Sequence, residues 1–118
     1  MIQQRENPYQ QKPSGALLAQ ATALFSGKWK LRILYIVGLH QVIPYNELWR
    51  ELHCAPHNVL HRQLRELESD ELVLRAEYPQ SPPRVEYALT SKGNALLPLL
   101  EELCEWVEKH NTAQHAER

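Results

Sequence analysis

The sequence predicts an α+β, mostly helical, winged helix-turn-helix with a two-stranded wing and terminal dimerisation helices. Three observations carry this expectation. From Pro56 to Leu72 the apolar residues Val59, Leu60, Leu64, Leu67 and Leu72 recur at helical spacing. That spacing puts His57, Asn58, His61, Arg62 and Arg65 on the opposite face, which bears long donors and almost no bulk hydrophobe and suits insertion into a major groove. Next, Val73 to Tyr78 and Val85 to Leu89 alternate apolar and polar residues on either side of Pro79-Gln80-Ser81-Pro82-Pro83, a stiff turn with Arg84 at its exit. Finally, a short helical stretch, Glu47 to Leu52, precedes the donor-bearing helix across His53-Cys54-Ala55, the spacing of a helix-turn-helix pair.

Taken in order, residues 1–13 are polar and aperiodic, with Pro8 and Pro13, and read as a flexible arm. Arg5 and Lys12 leave a minor-groove role open, but a plain tail is favoured. Ser14 to Phe25 reads as a first helix, capped by Ser14 and striped by Leu17, Leu18, Ala21, Leu24 and Phe25. Ser26-Gly27 breaks the chain. Lys28 to Leu39 reads as the central buried helix, because Trp29, Leu31, Ile33, Leu34, Ile36 and Val37 leave little polar face. Lys28, Lys30 and Arg32 stud its first turns, either for solubility or as phosphate anchors. Val42-Ile43 is a stub of strand stopped by Pro44, and Asn46 is the expected cap of the helix that buries Leu48, Trp49 and Leu52. After the wing, Thr90-Ser91-Lys92-Gly93 opens a last helix running to about His110. Leu96, Leu99, Leu100, Leu103 and Val107 form its stripe, and Glu101, Glu102, Glu105 and Glu108 its solvated face. So broad a stripe exceeds what one small core covers, so a dimer seam is expected there. Residues 111–118 read as a polar tail.

With 118 residues the chain suits one domain, here 14–110, of modest core. No apolar run is long enough to span a bilayer, no membrane partner is expected, and the first residues lack signal-peptide character, so a cytoplasmic protein is expected. The net charge of −1 argues mildly against a polyanion partner, yet it is unevenly spread. Residues 1–50 carry six Lys/Arg against two acids, and residues 93–118 two against five. Binding follows local potential rather than the total. The segment 56–92 is nearly balanced at five to six, which predicts a modest salt slope.

The chain resembles the HxlR family of bacterial winged-helix regulators related to MarR. The resemblance rests on Gly27-Lys28-Trp29-Lys30, on Leu64-Arg65-Glu66-Leu67-Glu68, and on Tyr78-Pro79 followed by Pro82-Pro83-Arg84-Val85-Glu86-Tyr87, Leu89-Thr90 and Gly93. It covers roughly residues 14–110. It implies a homodimer built from the first and last helices that binds a palindromic operator on double-stranded DNA, more often to repress. By position, His57, Asn58, His61 and Arg62 would occupy the base-reading face, Asn46 would lie near phosphate, and Pro82, Pro83 and Arg84 would form the wing tip. Three positions depart from the family. Ala16 stands where many members carry a sensing cysteine. Pro56 replaces a capping serine, and Glu71 a helix-ending glycine. A left-handed Glu71 would cost on the order of 1 kcal/mol, so a different turn is expected there.

Two cysteines make no disulfide framework. Cys54 with His53, His57 and His61 invites a metal reading, but without a second paired motif the signal is weak, and no metal or cofactor is expected. Cys54 is the better candidate for a redox sensor, though an inert residue is the favoured reading. Cys104, among four glutamates, is expected to be a buried small hydrophobe on the dimer helix. Arg65 is read either as facing DNA or as pairing with Glu68; Arg84 either enters a minor groove, the favoured reading, or pairs with Glu86 or Glu77. There is no GxSxG, Walker loop or HExxH motif, so no enzyme is expected. The rival to a DNA-binding regulator is a winged-helix protein-interaction module. Neither a small-molecule nor a redox effector is legible.

Overall fold

In the computed structural model residues 13–24 and 26–111 are described. Phe25, nearly all of the expected arm and all but the first residue of the expected tail lie outside them. The core is assembled on α2 (Lys30–His40), whose Ile33, Leu34 and Val37 are fully buried. The helix begins two residues later than its pattern suggests, because Trp29 takes the N-cap position without a side-chain cap bond. Helix α3 (Tyr45–Glu51) adds Leu48, with Leu52 just beyond its end, and α4 (His57–Ser69) adds Leu60, Leu64 and Leu67.

A three-stranded antiparallel sheet closes the core, in the order β1 (Val42–Pro44), β3 (Arg84–Leu89), β2 (Val73–Tyr78). Ile43 pairs with Tyr87 and Val73 with Leu89, and all four side chains are buried. Pro44, expected to stop the strand, is instead its last residue and the N-cap of α3. An edge strand tolerates proline because nothing there requires its missing donor. Asn46 is therefore not the cap; it lies inside the first turn. Pro56 likewise takes the N-cap of α4 and offers no capping oxygen.

The turn from α4 into the wing decides where the wing stands. Leu72 N–H donates to the Leu67 carbonyl at 2.9 Å and Glu71 N–H to the Glu68 carbonyl at 3.0 Å, the paired bonds of a Schellman ending. Glu71 has φ of 62°, so the left-handed cap that glycine usually supplies is kept, contrary to the expected change of turn. Contacts from the far end of the wing compensate. The Thr90 hydroxyl donates to the Glu71 carbonyl at 2.7 Å, and the Lys92 ammonium donates to the Asp70 carbonyl at 3.0 Å.

At the termini, α1 (Gly15–Ala23) is capped as expected, Ser14 Oγ accepting from Leu17 N–H at 3.1 Å. The single last helix expected from the sequence is two. A four-residue α5 (Ser91–Asn94), capped by Thr90, is followed by α6 (Leu97–His110). Pro98 has no N–H to give the carbonyl four residues back, so the helix breaks ahead of it. Neither α1 nor α6 buries a residue; Leu17, Leu99 and Trp106 are 57%, 58% and 59% exposed. Leu96 and Leu100, by contrast, pack partly on the chain's own core. Cys104, expected to be buried on the dimer helix, is exposed in the single chain.

Two substitutions test this packing with opposite signs. Glu71→Gly should raise unfolding stability, by up to about 1 kcal/mol, by relieving the left-handed residue. Gly93→Ala should lower it by about 1–3 kcal/mol, since a Cβ there would lie 2.2 Å from the Leu72 carbonyl oxygen. Denaturant midpoints that move in the same direction for both would contradict the turn described.

Candidate nucleic-acid interface

With Leu60, Leu64 and Leu67 turned inward, α4 presents His57, Asn58, His61, Arg62 and Arg65 to solvent. Gln63, between them in sequence, is buried against the Gly27 turn. The wing rises beside this face. Its tip, residues 79–83, is exposed, and His61, Arg75, Pro82, Pro83 and Arg84 line a common cleft between the wing and the helix pair. Among the described residues no ion pair involves Arg62 or Arg65, so Arg65 is not held by Glu68. Arg84 is committed in the free chain: its Nε donates to a Glu86 carboxylate oxygen, which raises the guanidinium pKa. A DNA contact by Arg84 has to compete with that bond.

The two histidines are held by an aromatic frame from α3. Tyr45 and Trp49 stand one turn apart, as do His57 and His61, and the two pairs face each other. The Tyr45 ring stacks on His61 at 4.7 Å with the planes 4° apart, and Trp49 stacks on His57 at 4.4 Å. Tyr45 Oη lies 2.7 Å from His57 Nδ1, and Trp49 Nε1 donates to the Ala55 carbonyl at 2.9 Å, tying the frame to the turn of the helix pair. Sequence reasoning placed Trp49 in the core and passed over Tyr45. The matching one-turn spacing of the two pairs is the signal that was available. Arg75 was also missed; it bonds Glu77 at 2.9 Å and shares the cleft beneath α4 with His61 and Tyr87.

Lys30, an expected phosphate anchor, is corrected by the structure. It is 7% exposed, and its ammonium lies 2.8 Å from the Glu66 carboxylate of α4. The hydrogen bond from Lys30 holds the Glu66 carboxyl below its ordinary range. The pair therefore supports the fold above the usual carboxylate range, and that support is lost as pH falls through the lowered pKa. Lys28 remains exposed, its ammonium 5.0 Å from the Trp29 ring centroid, with the Arg32 guanidinium 5.4 Å from the same ring. Asn46 is exposed, and its carbonyl accepts from Arg50 Nε at 3.3 Å. Cys54 is exposed beside His53 in the turn before α4, both at positive φ. Among the described residues no group of three or more His, Cys, Asp or Glu side chains is placed to hold a metal ion.

Residues 24–115 match the HxlR-like helix-turn-helix family. The chain belongs to that family. It is 51% identical over 88 residues to an HTH-type transcriptional regulator of Halalkalibacterium halodurans, covering 75% of this chain and 78% of the relative. Among solved structures it is similar to a MarR-family regulator of Porphyromonas gingivalis, at a TM-score of 0.74 and 29% identity, with 90% of this chain and 99% of that one covered. It is also similar to the redox regulator HypR in its reduced form, at a TM-score of 0.75 and 33% identity, with coverage of 85% and 98%. This HxlR-family chain is thus a MarR-like winged-helix transcriptional regulator. A family of DNA-binding regulators is not typically enzymatic, and no described helix is long and apolar enough to cross a membrane.

The contrast between the two lysines is measurable. Lys30→Ala should cost about 1–2 kcal/mol of stability through its lost buried stem, and leave the salt slope of DNA binding unchanged. Lys28→Ala should do the reverse, leaving stability intact and lowering the salt slope by about one, if Lys28 contacts phosphate. A slope that falls for Lys30 instead would overturn the assignment.

Proposed function

We propose that the chain acts in the cytoplasm as a homodimeric repressor that reads a palindromic operator. The observation that carries this reading is the exposed donor face of α4 standing beside the exposed wing tip. Each α4 enters a major groove, His57, Asn58, His61 and Arg62 meet base edges, and Arg65 and Lys28 meet phosphate. Asn46 stands at the backbone beside the groove, and Pro82, Pro83 and Arg84 carry the wing to the flanking duplex. The two-fold axis sets the half-sites about 10 bp, or a multiple, apart. The dimer is supported by the unpartnered apolar faces of α1 and α6: Leu17, Leu18, Leu99, Leu103 and Val107 are all at least 40% exposed. Leu96 and Leu100 belong to the same stripe but also serve the chain's own core, so they are poor probes of the seam.

One observation favours a thiol input to this switch. Cys54 and Cys104 line a single open groove of about 570 Å³ between α2, the turn before α4 and α6, together with Lys28, Arg32 and His53. The groove joins the DNA-reading half to the proposed dimer helix, so a modified thiol there would bias the angle between them.

Selection from a random DNA pool should return a palindrome. Arg62→Ala should lower affinity for it and relax preference at one base pair by about 1–3 kcal/mol. An equal loss on every sequence would leave only a phosphate contact. Replacing Leu99 and Leu103 together by Glu should yield a monomer in sedimentation, and a persisting dimer would reject this seam. Absence of salt-dependent retention on heparin, with no shift of any selected DNA, would favour a protein-interaction module instead. For the input, iodoacetamide alkylation of Cys54 should weaken operator binding in the wild type and not in Cys54→Ser. Equal loss in both would exclude this thiol.

A further inference from the structure

We propose that Tyr45 is a specificity-determining positioning residue: its hydroxyl keeps the proton of His57 on Nε2, so that His57 meets the duplex as a donor and selects guanine. This rests on α4 being the base-reading helix. Tyr45 Oη and His57 Nδ1 are 2.7 Å apart, which fixes a hydrogen bond but not its direction. Chemistry decides the direction. The imidazole nitrogen lone pair is a far better acceptor than a phenol oxygen, and phenol O–H is the better donor. Burial of Tyr45, and then the nearby Tyr87, raise the phenol pKa, so the hydroxyl is protonated at neutral pH and has a hydrogen to give. With Nδ1 accepting, the neutral ring must carry its hydrogen on Nε2.

The ring orientation is also fixed. Trp49 covers His57 at 4.4 Å, and turning the ring over would put Cδ2 in place of Nδ1 and lose the bond to Tyr45. His57 is exposed at the first helical position of α4, and among the described residues Nε2 has no protein partner. The two tautomers would read opposite base edges. An Nε2–H donor fits guanine, whose major-groove edge offers two adjacent acceptors, N7 and O6. An unprotonated Nε2 would instead seek the amino group of adenine or cytosine. One hydroxyl on a neighbouring helix thereby sets what the recognition helix asks of a base.

The test has two arms. In the free wild-type protein, 15N spectra of the His57 ring at neutral pH should show the Nε2–H tautomer, and an Nδ1–H tautomer would overturn the assignment without any variant. In the second arm, bound sequences are selected from one random duplex pool with wild type, Tyr45→Phe, His57→Ala and the double variant. Wild type should enrich guanine at one symmetric pair. Tyr45→Phe keeps the ring stacked on His61 and should weaken that preference roughly threefold to tenfold, the worth of one hydrogen bond, with other positions unchanged. Adding Tyr45→Phe to His57→Ala should change nothing further. Identical base preferences for wild type and Tyr45→Phe would sink the inference. A wild type that enriches no sequence would instead sink the base-reading assignment beneath it.

Discussion

Burial of one side of α4 is the constraint on which the rest depends. Leu60, Leu64 and Leu67 are buried in one cluster with apolar residues of α2, α3 and the sheet, and once they are there the polar side has no choice but solvent. A helix cannot bury one stripe without presenting the opposite one. The donor face needs no dedicated support: the hydrophobic effect that closes the core also exposes His57, Asn58, His61, Arg62 and Arg65. Lys30 and Glu66 strengthen this contact by linking α2 to α4 beside the stripe, and in doing so they remove Lys30 from the set of groups that a polyanion could reach.

The position of the wing follows from the way α4 ends. Glu71 pays a small strain to hold a left-handed turn, and Thr90 and Lys92 secure the carbonyls around it from the other end of the hairpin. Both ends of the wing are thereby tied to the foot of α4. That tie is why the wing tip stands beside the α4 face rather than swinging free. The same segment then turns into α5 through Gly93, where the backbone passes too close to Leu72 for any side chain.

The aromatic frame adds a layer that binary patterning does not contain. Tyr45 and Trp49 belong to α3, yet they stack on two histidines of α4 and so order their rings. Under the proposed reading, that ordering would lower the entropy lost when the rings meet a base. The apolar faces of α1 and α6 show the opposite situation: surface that the chain's own fold leaves uncovered, and that a second copy would bury.

By itself, the sequence determined the element order, the central buried helix, the wing and the outward face of α4, because each follows from local periodicity and from turn chemistry within a few residues. The exact start of α2, the cap of α3 and the break before Pro98 were only partly legible, since helix ends depend on which neighbouring group satisfies the terminal donors. Tertiary structure alone decided the fate of Lys30, the left-handed turn at Glu71 and the exposure of Cys104. It also decided that Tyr45 meets His57. The Tyr45–His57 and Lys30–Glu66 contacts join residues 12 and 36 positions apart, and no pattern along one helix encodes which side chain of another helix will stand 2.7 Å away.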